Sequence, residues 1–189
     1  MKKRVFLAIN LPPDIKKSIV KRLLNLAKKI SQKGVKFVDE DNLHITLHFL
    51  GDQSEARIQD IREASVDIAK NFSPFDVSFS GLDAFPNRQF PRVIFLKINE
   101  GQEELKRLRE ALGHSLEEKG MEIDRRQWDG HLTLARVKFG QVDFERLRFE
   151  GENAGNWRWT VDGFSLTEST LSADGPIYNT LQRFRFYES

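Results

Sequence analysis

One four-residue pattern occurs twice in this chain and limits what it can fold into. His44-Ile45-Thr46-Leu47 returns 87 residues later as His131-Leu132-Thr133-Leu134. Both alternate polar and apolar residues at a period of two, the mark of a half-buried strand. On such a strand His44 and Thr46 share one face while Ile45 and Leu47 take the other, and the same holds for the second copy. An imidazole and a hydroxyl side by side, twice, point to a site rather than to packing.

The rest of the chain supplies the frame. Val5 to Asn10 reads as a buried strand, stopped by Pro12 and Pro13, which with Asp14 suit a helix start. Ile15, Ile19, Leu23 and Ala27 carry an apolar stripe to about residue 31, closed by Gly34, with lysines on a solvated opposite face. A short strand is expected at Lys36 to Val38 and the first motif strand at Leu43 to Leu50. A second helix follows from Ser54 to about Lys70, then strands at Phe75 to Ser80 and Arg92 to Ile98. Leu105, Leu108, Leu112 and Leu116 define a third helix before a polar loop, Asp124 to Gly130, and the second motif strand, His131 to Lys138. A helical turn is expected within Val142 to Leu147. Strands at Trp157–Val161, Gly163–Leu171 and Ile177–Phe186 close the chain, the last two joined by a turn through Asp174-Gly175. This order predicts an α+β fold over 1–189, a single domain of two lobes. Two mainly antiparallel sheets should face each other across a central cleft, with helices outside.

Composition narrows the chemistry. The 189 residues are 39% hydrophobic and 31% charged, ordinary for a globular protein. Cysteine is absent, which removes disulfides, thiolate metal sites and a Cys nucleophile. A net charge of +2 permits an anionic ligand without implying a broad nucleic-acid coat. No apolar stretch approaches the roughly 20 residues that span a bilayer, so the expectation is a cytoplasmic protein without membrane contact. Nothing demands a dimer, and a monomer is expected.

Of four histidines, His114 falls on the solvent face of the third helix. Parity places His48 on the face of His44 and Thr46, as an incidental polar position more than a cleft residue. A metal held by His44, His48 and His131 is not expected. Two imidazoles four residues apart on a strand are roughly 13 Å apart, and no carboxylate shares their face. Two separate imidazoles suit acid–base work at neutral pH. In displacement at phosphorus, acid and base flank the phosphorus from opposite sides, and Thr46 and Thr133 could hydrogen-bond its non-bridging oxygens. No cofactor motif and no Gly-rich phosphate loop is present.

The sequence resembles the two-histidine phosphoesterase superfamily, and within it the RNA 2′,3′-cyclic phosphodiesterases, also called 2′-5′ RNA ligase-like. Asn42 to Gly51 resembles the first family signature and His131 to Arg136 the second. Phe85-Pro86, Pro91 to Val93, Leu166 to Ser169 and Gly175-Pro176 with Tyr178 resemble the flanking segments. The resemblance implies metal-independent hydrolysis of RNA or nucleoside 2′,3′-cyclic phosphate ends to 2′-phosphomonoesters. His44 would be the proton donor, His131 the proton acceptor, and Thr46 and Thr133 the phosphate contacts. It also implies that Phe49 and Arg136, five places after each histidine, approach the substrate. Simple alternation puts both on the wrong face, so each needs a bulge or a strand end. Reversible 2′-5′ ligation at the same groups, or a module that only binds RNA ends or nucleotides, are the alternatives. Gly130, where relatives commonly carry Pro, is expected to loosen the start of the second motif strand.

Overall fold

The computed structural model describes residues 1–28, 34–139, 142–144, 157–173 and 175–187. Among these residues nine strands and three α-helices follow in the order β1 (Lys3–Asn10), α1 (Pro13–Ala27), β2 (Val35–Phe37), β3 (His44–Gln53), α2 (Glu55–Ala69), β4 (Phe75–Phe85), β5 (Val93–Glu100), α3 (Gln102–Glu118), β6 (His131–Val137), β7 (Arg158–Val161), β8 (Gly163–Leu171) and β9 (Pro176–Arg185). The last expected residues of the first helix, Asp174 in the final turn, and most of the turn expected over 142–147 lie outside the described residues.

Local chemistry explains where the helices begin. Pro13 opens α1, where a missing N–H costs nothing, and Asp14 meets the positive end of the helix. Ser54 caps α2 by accepting from the Arg57 amide at 3.3 Å. Each helix then buries one stripe. Leu105, Leu108, Leu112 and Leu116 of α3 are fully buried, and each such leucine contributes about 1.5–3 kcal/mol through apolar surface removed from water.

The strands form two antiparallel sheets, ordered β3-β1-β8-β9 and β2-β6-β5-β4-β7. β4 runs five residues beyond the expected Ser80. Its pairing with β5 is irregular between Ser78 and Leu82, which breaks the alternation that a sequence reading follows. Helices α2 and α3 pack on each other, and each also reaches the first sheet, α3 at β3 and α2 at β9.

The two halves repeat each other in register as well as in motif. β3 pairs with β1 through Asn10–His44, Ala8–Thr46, Leu7–His48 and Phe6–Phe49. β6 pairs with β5 through Lys97–His131, Phe95–Thr133, Ile94–Ala135 and Val93–Arg136. Adding 87 to every residue of the first set yields the second. The interruption repeats too: Leu47 and Leu134 are each skipped by the partner strand, so each is the extra residue of a β-bulge.

At the junction of β5 and α3, Gly101 has φ of +85°, a left-handed conformation, and a Cβ there would collide with the Asp76 carbonyl. Gly101→Ala is therefore expected to destabilise the protein by at least about 1–3 kcal/mol in urea unfolding. An unchanged midpoint would show that this junction relaxes freely.

Candidate active site

The bulges decide which side chains meet. Before each one, alternation holds: His44 and Thr46, or His131 and Thr133, face outward while the residues between them are buried. After it, parity inverts. Phe49 becomes 55% exposed, and Arg136 is likewise exposed. A cleft of about 140 Å³ between the sheets is lined by all six residues picked out by sequence: His44, Thr46, Phe49, His131, Thr133 and Arg136. Its remaining walls are the segment 36–39, Asn42, Pro176 and Tyr178, so strands and connecting segments form it and the helices stay outside.

The same inversion corrects the placement of His48. It does not share the face of His44: the bulge at Leu47 turns it inward, where it is 3% exposed. There its Nε2–H donates to the Arg109 carbonyl of α3 at 2.7 Å. The three imidazoles therefore do not converge, and no metal-binding cluster of His and carboxylates occurs among the described residues. His114 lies at the surface, 3.3 Å from Glu118.

Each motif histidine is held by the backbone just before it. His44 Nδ1 donates to the Asn42 carbonyl at 2.8 Å, and His131 Nδ1 donates to the Asp129 carbonyl at 2.7 Å. A carbonyl can only accept, so both rings carry a hydrogen on Nδ1 and keep Nε2 for the cleft. In the neutral ring, His44 Nε2 accepts from the Thr46 hydroxyl at 2.9 Å. Aromatic rings fix the tilt of both imidazoles. Phe6 and Tyr178 lie 4.9 and 5.2 Å from the His44 ring. Phe85 and Phe95 each lie 5.0 Å from that of His131.

Burial pushes His44 down to about 4; the hydrogen bond to Asn42 opposes this, and the charges of Lys16, Arg136 and His131 add to it. His131 is also lowered, chiefly by burial, with the Asp129 carbonyl and carboxylate opposing. In the ligand-free protein both are therefore largely neutral at pH 7. Arg136 lowers both, so the cleft is biased towards an anion.

Sequence reading missed several neighbours. Lys16 belongs to the lysine face of α1 that periodicity leaves to solvent, yet it is half-buried, with Nζ donating to the Asp41 carbonyl at 3.1 Å and its charge felt by His44. Lys36 sits across from Arg136 in the β2–β6 register and lines the cleft. Tyr178 arrives through the pairing of β8 with β9. Neither lysine has a local pattern that would announce it, and Tyr178, within a segment that resembles the family, draws no role from that resemblance.

The chain is similar to known proteins over nearly its whole length. The family model described as LigT like Phosphoesterase matches residues 10–95 and again 96–178, one match for each motif. The RNA 2′,3′-cyclic phosphodiesterase of Archaeoglobus fulgidus is 35% identical, over 96% of this chain and 99% of its own. That of Methanothermobacter thermautotrophicus is 33% identical, over 98% of this chain and 100% of its own. Among solved structures, TT0787 of Thermus thermophilus superposes with a TM-score of 0.79 at 29% identity, covering 97% of each chain. E. coli LigT complexed with 3′-AMP shares the fold, with a TM-score of 0.78 at 24% identity over the whole of both chains. With family matches across both halves and relatives of this identity over nearly its full length, the chain belongs to the LigT-like phosphoesterase family.

Proposed function

We propose that this protein hydrolyses RNA or nucleoside 2′,3′-cyclic phosphate ends to 2′-phosphomonoesters, with His44 and His131 as acid and base. The observation that carries this reading is the matched presentation of two imidazoles. Each is anchored at Nδ1 by the carbonyl two residues before it, and each offers Nε2 to one shared cleft. The activity borne in the names of the relatives supports it.

In the proposed reaction His131 Nε2 takes a proton from water as the water oxygen bonds to phosphorus. The bond from phosphorus to O3′ breaks, and His44 Nε2 delivers its proton to O3′. The phosphate keeps its bond to O2′, and the two histidines end with their protonation exchanged. The hydroxyls of Thr46 and Thr133 and the Arg136 guanidinium take the non-bridging oxygens, where negative charge develops. Phe49 offers an exposed ring face to a base.

A donor that is neutral when free needs an explanation, and the substrate supplies it. A cyclic phosphodiester carries one negative charge; beside His44 it favours the imidazolium and raises the pKa. The signs then follow. Both histidines are lowered in the free protein, and kcat/KM reports the free enzyme. Its maximum is expected below pH 6.5, declining as pH rises through 7, while the kcat profile is displaced to higher pH. A kcat/KM still rising above pH 8 would contradict the assignment. Proton NMR of the free protein should show His44 titrating near 4. Because the folded state resists protonating this ring, stability should fall as pH drops from 6.5 towards 4.

The direct test is cleavage of a cyclic-phosphate-ended oligonucleotide in EDTA. His44→Ala and His131→Ala are each expected to lower kcat by about 10²–10⁴-fold, the usual worth of a positioned acid or base. Full activity in either variant would end the reading, as would loss of wild-type turnover in EDTA.

A further inference from the structure

The motif strands match along their inner edges but differ along their outer ones. β6 has β2 beside it, and the carbonyl of its bulge residue Leu134 accepts from the Val38 amide at 2.8 Å. β3 is the terminal strand of its sheet. At the same point in β3, side chains take the place of a neighbouring strand. Trp128 Nε1 donates to the Thr46 carbonyl at 3.3 Å, and Arg109 Nε donates to the Leu47 carbonyl at 3.1 Å.

Both donors belong to the other half of the molecule and are tied together. The Arg109 guanidinium lies over the Trp128 indole, 5.5 Å from its centre, and its Nη2 donates to the Asp124 carbonyl at 2.7 Å. The Arg109 carbonyl in turn accepts from His48. Residues 46, 47 and 48 are thus each fastened to α3 or to the 124–130 loop. That loop also supplies the Asp129 carbonyl that orients His131. Gly130 fits this arrangement: a Cβ there would come within 3.0 Å of the indole Cη2 and 2.8 Å of Gln102 Oε1. Glycine at this position therefore admits the Trp128 ring.

We propose that Trp128 and Arg109 are positioning residues for the reaction. They substitute for the missing edge strand, hold the bulge at Leu47, and so set His44, Thr46 and Phe49 against His131. A bulge on an open edge leaves carbonyls unpaired, and losing it would carry Phe49 inward and His48 outward. Neither residue lines the cleft, so neither acts on the substrate directly. The inference rests on the cyclic phosphodiesterase reading for its kinetic consequences but not for its structural ones.

The test compares Trp128→Phe, Arg109→Met and Arg109→Lys with Arg57→Met, using a 2′,3′-cyclic mononucleotide as substrate. Arg57 donates to the Lys119 carbonyl at the C-terminal end of α3, so its loss removes a similar bond that does not end on a β3 carbonyl. Trp128→Phe and Arg109→Met are expected to lower kcat on the order of 10–100-fold, with KM changed by less than about threefold. Arg109→Lys, which retains a donor, should recover part of the loss, and Arg57→Met should leave kcat unchanged. Amide hydrogen exchange provides the readout that needs no substrate: residues 46–49 should exchange at least about tenfold faster in the first two variants, and residues 133–136 should not. Unaltered exchange at 46–49, or an equal loss of kcat in Arg57→Met, overturns the inference. An inactive wild type overturns the phosphodiesterase reading instead, and the exchange rates alone then decide the positioning role.

Discussion

The site depends on one irregularity of backbone pairing, the extra residue at Leu47 in β3 and at Leu134 in β6. A regular strand shows one face at positions i, i+2 and i+4. A bulge after i+2 moves the third place to i+5. His44, Thr46 and Phe49 then share the cleft face, as do His131, Thr133 and Arg136. Each strand thereby offers a group for proton transfer, a hydroxyl, and a larger side chain suited to a base or a phosphate. Without the bulge, Arg136 would point a charge into the core, where burying it unpaired is costly.

The halves are alike in what they present and unlike in what supports it. Strand β6 is flanked on both sides by backbone. Strand β3 has backbone on one side and the Trp128 and Arg109 side chains on the other. Their electrostatics differ as well. His44 is buried against Phe6 and Tyr178 and feels Lys16 and Arg136, which together push its pKa down. His131 keeps Asp129 nearby, which partly offsets its burial. Two copies of one motif thus sit in surroundings that bind a proton unequally.

Much of this was legible in the chain because the relevant signals are local. The alternation in His44 to Leu47 and in His131 to Leu134 specifies strands and the side on which imidazole and hydroxyl emerge. Leu105, Leu108, Leu112 and Leu116 specify a helix with one buried stripe, and Pro12-Pro13-Asp14 specifies where another begins. The spacing of the two motifs hinted at the repeat that the strand registers then displayed. Family resemblance added Phe49 and Arg136, which periodicity alone would have buried.

What local pattern could not settle was every feature that needs a partner. A bulge is a mismatch between two strands, so nothing within residues 44–49 announces it, and simple alternation puts His48 on the wrong face. Lys36 and Tyr178 line the cleft, and Lys16 acts on His44 through its charge, only because β2, β9 and α1 are placed there by long-range pairing and packing. The indole of Trp128 finds its acceptor 82 residues away. The sequence by itself determined the strands, the helices and the residue types available for proton transfer, since these follow from periodicity and side-chain chemistry. Tertiary structure alone decided which of those side chains meet and how tightly each imidazole holds its proton, because register, burial and neighbouring charge exist only once the halves are packed.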